Sequence, residues 1–183
     1  MRKALVACAF VSVLTAALAA ATLADVTLPD TITVGNQTLV LNGMGLRSKM
    51  FIKVYVGGLY LEKKTNDAAA VIQSDSPKRV VLQFIYGEVT REQMVEAFED
   101  GFKGNAPNAP KAQVQQLLGA IETMKKGEQM VVTYLPGTGT TLSLRGKDKV
   151  TIPGLPFAQA VFSVWFGPKP PSGDLKNGML GKK

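Results

Sequence analysis

Apolar and polar positions alternate in short bursts along most of this chain, and a few windows switch to helical spacing. Ile32-Thr33-Val34 and Thr38-Leu39-Val40-Leu41 flank Gly35-Asn36, a pair that tolerates the positive φ of a tight hairpin turn. Further strand segments are predicted around Leu46-Arg47 and from Phe51 to Glu62. The second of these is strongly β-branched and aromatic, and Gly57-Gly58 within it predicts a bulge or a close backbone approach. A short helix is expected over Asp67 to Gln73 and a strand over Val80 to Tyr86. Thr90 followed by Gln93 forms a capping-box pattern, and Met94, Val95, Phe98 and Phe102 supply the apolar stripe of the helix it opens. Gly104 to Pro110 reads as a loop. Val114, Leu117, Leu118, Ile121 and Met124 then space a second helix that ends at Gly127. Met130 to Leu135, Thr141 to Arg145 and Lys149 to Ile152 are three close strands of an antiparallel meander. Pro153-Gly154 breaks the chain, and Pro156 suits the first turn of a last helix running to about Phe166. Beyond Gly167 the tail is rich in Gly, Pro and Lys. Strands that come in runs, separated by helices, predict an α+β fold built on an antiparallel sheet.

The first two dozen residues follow other rules. Met1-Arg2-Lys3 is a basic start, and Ala4 to Ala21 is almost wholly apolar or small. This is the pattern of a cleavable secretory signal. Ala19-Ala20-Ala21 and Thr22-Leu23-Ala24 both present small residues for cleavage, and the reading preferred is a signal over 1–24 and a single domain over 25–183. Leu5-Val6-Ala7-Cys8 imitates a lipoprotein box but lies too close to the start to act as one. Cleavage would remove the only cysteine and leave no stable membrane span. The protein is therefore expected in the periplasm or the medium.

A formal net charge of +7 is spread in small clusters, among them Lys63-Lys64 and Lys125-Lys126. Without a basic stripe it argues against a nucleic-acid partner. The sequence contains no histidine, which removes the commonest general base and metal ligand. No cofactor and no metal are expected. Gly137-Thr138-Gly139-Thr140-Thr141 imitates a phosphate loop but lacks its lysine and joins two strands, so a hairpin turn is expected there. Glu88, Glu92, Glu96, Glu99 and Asp100 read as a solvated helix face.

What remains is a small polar set among apolar strands: Asn42, Arg47, Lys53, Tyr55 and Tyr60. Glycines at 43 and 45 leave room beside Arg47. A guanidinium can hold a carboxylate with two parallel hydrogen bonds, and a nearby tyrosine can donate a third. On the residues alone two readings stay open: a ligand grip, or a surface arginine among core aromatics with wetted hydroxyls.

Leu41-Asn42-Gly43-Met44-Gly45-Leu46-Arg47, continuing into Phe51-Ile52-Lys53-Val54-Tyr55-Val56-Gly57-Gly58-Leu59-Tyr60-Leu61, resembles the chalcone isomerase-like family in its bacterial, exported branch. So do Ile152-Pro153-Gly154, Val164-Trp165-Phe166-Gly167-Pro168-Lys169-Pro170 and Asp174-Leu175-Lys176. The likeness runs from about Leu39 to Gly181. It implies a large antiparallel sheet packed with helices around an apolar cleft. The family's plant enzymes close a chalcone to a flavanone with help from a strand arginine, and non-catalytic plant relatives hold a fatty-acid carboxylate with that arginine and a tyrosine. Arg47 matches the arginine. Tyr55 matches a position that is threonine in the enzymes and tyrosine in the fatty-acid binders. Where the enzymes carry tyrosine, lysine and asparagine on a helix, this chain offers Met94, Ala97 and Gly101. The resemblance thus implies a non-catalytic protein that binds a small apolar acid or lipid through Arg47 and Tyr55, with Asn42 and Tyr60 as further candidates. The alternatives are a weak chalcone or enone isomerase, and a ligand-free envelope interaction module whose protein partner the sequence does not name.

Overall fold

The computed structural model describes residues 20–182; the apolar stretch before Ala20, with Cys8, lies outside the described residues. Seven strands form the main sheet. They are β3 (Thr31–Val34), β4 (Gln37–Lys49), β5 (Ile52–Leu61), β6 (Lys78–Phe84), β9 (Gln129–Leu135), β10 (Gly139–Leu144) and β11 (Lys147–Ile152). Their order is β11-β10-β9-β6-β5-β4-β3, and every pair is antiparallel. Two small hairpins stand apart: β1 (Ala20–Leu23) with β2 (Val26–Pro29), and β7 (Glu88–Val89) with β8 (Met124–Lys125). The β1–β2 turn is made by Ala24 and Asp25, both at positive φ. The expected cleavage after Ala24 falls within this turn.

The helices are α1 (Ala68–Gln73), α2 (Arg91–Asn105), α3 (Lys111–Gly119), α4 (Leu155–Phe166) and α5 (Gly173–Met179). The Thr90 capping box is present in full: Gln93 N–H donates to the Thr90 hydroxyl at 3.3 Å, and the Thr90 N–H donates to the Gln93 side chain at 3.0 Å. α4 is apolar all round, as a helix buried between layers must be. It packs against α1 and α2 and lies over β10.

Strand alternation gives the sheet two buried faces. On one face Leu59, Leu82, Phe84, Val132 and Leu142 meet the helices through Phe98, Phe157 and Trp165. On the other face Leu39, Leu41, Val56 and Tyr60 meet Val26 and Leu28 of the β2 strand. The β1–β2 hairpin is thus the cover of a second, smaller core.

The elements depart from the sequence reading in four places. The second predicted helix stops at Gly119, because Met124 and Lys125 leave it to pair with Val89 and Glu88. The segments around Leu46 and before it are one strand of 13 residues. The supposed tail carries α5, opened by the Ser172 hydroxyl, which accepts from Leu175 N–H at 3.2 Å. Finally, Gly57-Gly58 is not a bulge. The register slips instead at Asn42 in β4 and at Val54 in β5, while both glycines admit close neighbours, Leu175 and Met179 on one face and Leu28 on the other.

Candidate functional site

The β4–β5 register decides which candidates can act together. Arg47 lies directly opposite Tyr55, so both side chains leave the sheet on one face. The next pair inward on that face is Gly45 opposite Gly57, and the next is Gly43 opposite Leu59. The glycines are a seat. A Cβ at Gly45 would meet the Leu175 backbone, and one at Gly43 would meet the Gly178 carbonyl. α5 therefore lies on the strand floor immediately beside Arg47.

Tyr55 is buried against Phe84, with ring centroids 5.6 Å apart. Burial pushes its hydroxyl up to about 12, while a hydrogen bond with the Trp165 indole and the positive charge of Arg47 pull it partly back. Trp165 is in turn braced edge-on by Phe98 at 5.6 Å. Arg47 is half-buried. Among the described residues its guanidinium donates to the carbonyl of Ser48 and meets no carboxylate. The arrangement is one cation and one protonated hydroxyl on an apolar floor.

The other two candidates are committed elsewhere. Asn42 is the bulged residue of β4. Its amide nitrogen donates to the Met179 carbonyl at 2.8 Å, and its amide oxygen accepts from Thr65 N–H at 2.8 Å. It pins the end of α5 and the loop after β5. Tyr60 leaves β5 on the opposite face from Tyr55, and its hydroxyl donates to the Pro29 carbonyl at 2.8 Å. An odd separation of five residues along β5 forbids the two tyrosines from sharing a face. Lys53 is exposed near the start of the strand. On α2, Met94 is in the core, Ala97 is exposed, and Gly101 lies under Val164.

Sequence reading did not select Trp165. The signal available was that it is the only tryptophan and sits on a helix too apolar to face water, where its indole N–H needs a partner.

Open grooves of about 470 Å3 each lie between β1 and β4 and beside Asn42, Thr65 and Leu180. Neither is lined by Arg47 or Tyr55. In this structure α5 and the aromatic side chains are packed down on the Arg47 face. No group of three or more metal-ligating side chains occurs among the described residues, and no helix among them is long and apolar enough to cross a membrane.

A family profile described as chalcone isomerase-like matches residues 20–181. The chain belongs to the chalcone isomerase-like family. The fold agrees. Among solved structures the chain is similar to a fatty-acid binding protein of Arabidopsis thaliana, with a TM-score of 0.71 and 14% identity. That likeness covers 88% of this chain and 96% of the plant protein. No curated protein matches. The family match begins at Ala20 and so takes in the β1–β2 hairpin as well as the main sheet.

Proposed function

We propose that this protein is an exported, non-catalytic binder of a small apolar carboxylate such as a fatty acid, with Arg47 as the carboxylate clamp and Tyr55 as the second donor. The observation that carries the reading is the Arg47–Tyr55 pair itself: a guanidinium without a carboxylate partner among the described residues, directly opposite a buried hydroxyl that stays protonated. A carboxylate accepts from both groups at once. A hydroxyl held to about 12 is unsuited to serve as a base near neutral pH, which favours binding over proton transfer. The fatty-acid binding described for the Arabidopsis protein adds weight to the choice of ligand, and the apolar stretch before Ala20 supports export.

Calorimetric titration with oleate, beside the matching alcohol as a control, tests the clamp. Arg47→Ala is expected to lose a charge-assisted bond worth about 1.5–3 kcal/mol, a drop of roughly tenfold to 150-fold in affinity. Arg47→Lys should recover some of it. The alcohol should bind weakly to all three proteins. Oleate affinity unchanged by Arg47→Ala would end the proposal.

A further inference from the structure

Among the described residues the exposed large apolar side chains are gathered at one end of the sheet. Met50 is 84% exposed, Phe51 103%, Ile52 47% and Tyr86 44%. The first three form the tip of the β4–β5 hairpin. Tyr86 follows β6 at the same end, its N–H donating to the Val54 carbonyl at 3.1 Å. Single exposed apolar side chains are ordinary; several gathered at one place mark an interaction site.

The backbone makes the cluster harder to dismiss. Lys49 pairs with Ile52, so Met50 and Phe51 are the two central residues of a tight turn, at φ 48° and 69°. Such turns favour Asn and Gly because both positions need positive φ. The other two-residue hairpin turns place smaller or polar residues there: Gly35 of Gly35-Asn36, Arg145-Gly146 and Ala24-Asp25, so the β4–β5 turn is the one among the described residues that puts two large apolar side chains at positive φ. Here two large side chains hold a conformation that costs them energy, and the reward is not burial within this chain. Strain of this kind points outward, to a use.

Charge selects the partner. Lys49 and Lys53 flank the tip and are both exposed. Lys125 and Lys126 stand at the same end, where Lys126 N–H donates to the Gly87 carbonyl. The acidic groups near them are Glu88, 3.9 Å from Lys125, and Glu128, which faces Arg145. A second copy of this chain would bring lysines against lysines. An anionic lipid surface offers phosphates at the depth of the lysines and hydrocarbon at the depth of the tip.

We propose that the β4–β5 tip docks the protein on anionic membranes, with Met50 and Phe51 entering the interfacial region and Lys49 and Lys53 meeting lipid phosphates. This goes beyond the ligand reading and does not rest on it, since nothing in the tip depends on what Arg47 holds. One apolar anchor and a few lysines give reversible attachment, not insertion.

Two measurements on the full chain test it, with every variant carrying the same N-terminal segment. In Phe51→Trp, the indole at 51 should shift to the blue and become quenchable by brominated lipid on vesicles of about 30% phosphatidylglycerol in phosphatidylcholine. The signal of the buried Trp165 is common to wild type and subtracts out. In Met50→Asn/Phe51→Gly the turn receives the residues its φ values favour, so folding should be kept or improved. Vesicle partitioning should fall at least about tenfold relative to wild type, from the lost apolar contact. Lys49→Glu/Lys53→Glu should weaken it by a similar factor. An indole at 51 that keeps its water-exposed emission on vesicles that sediment the protein would overturn the proposal. So would a shift that depends on protein concentration without lipid, which would identify a second copy as the partner.

Discussion

At the scale of single residues, the polar groups inside this molecule divide into those used for construction and those left for chemistry. Asn42 and Tyr60 belong to the first kind, since every hydrogen bond they make joins two stretches of backbone. Lys78 is the most extreme of them. Its side chain is fully buried at the start of β6, and its ammonium donates to the Val71 and Ser74 carbonyls at 2.8 and 2.7 Å, closing the end of α1. The rings of Tyr134 and Phe162 lie 5.4 and 5.3 Å away. Burial pushes this lysine down to about 8, against the pull of Asp75. In the unfolded chain it holds its proton to about 10.4. Between those two values the unfolded state binds the extra proton, so stability rises with pH across that window and is flat below it. Urea titrations of wild type and Lys78→Met from about pH 7 to 10 should therefore diverge in favour of wild type as pH rises. The relative gain should be on the order of 1–2 kcal/mol once solvent screening is allowed for. Parallel pH profiles for the two proteins would show that Lys78 keeps its proton in the fold. None of these roles was legible in sequence, because a lysine before a strand and an asparagine within one look like ordinary surface residues until the register shows what they face.

The element scale was read far more easily. Gly35-Asn36, Pro136-Gly137 and the Thr90–Gln93 box each carry local chemistry that survives in the fold. The meander of β9, β10 and β11 followed from spacing alone. The misses share one cause, which is that tertiary partners overrode local pattern. Met124 fits a helical stripe but is drawn into pairing with Val89. α5, at seven residues, is too short to be stable alone; it exists because β4 and β5 give it a glycine floor. That dependence can be tested. Gly45→Ala places a methyl against the Leu175 backbone, which cannot yield as a side-chain tip can. It should cost about 1–3 kcal/mol, as overpacking does, and expose Lys176 to trypsin. Gly87→Ala meets nothing within 4 Å and should stay within about 0.5 kcal/mol of wild type. Equal stability and equal proteolysis of the two variants would mean that α5 is not seated as described.

At the scale of the whole molecule, one sheet separates a helix-covered core from a hairpin-covered one, and the candidate ligand groups belong wholly to the first. The α+β class and the antiparallel sheet were legible from strand runs. The pairing of Arg47 with Tyr55 was only suggested, because it depends on a bulge at Val54 that no local pattern announces. The same arrangement sets a condition on function. Arg47 and Tyr55 line neither of the grooves beside β4, and α5 is packed on the floor beside them. An acyl chain that reaches the pair along the Gly43–Gly45 floor must push α5 away from the sheet. The element lying directly on that floor is α5, a short helix held in its last turn by Asn42, which donates to the Met179 carbonyl, and by Lys176, which donates to the Gly167 carbonyl at 2.7 Å. Hydrogen exchange should accordingly show α5 amides exchanging faster in saturating oleate, while the strands β4 and β5 exchange no faster. Arg47→Ala should remove the difference by removing the ligand's hold. If oleate binds and α5 exchange is unchanged or slowed, the acyl chain reaches Arg47 by another route, past the hairpin end of β4 and β5, and α5 is a fixed wall of the site instead of its door.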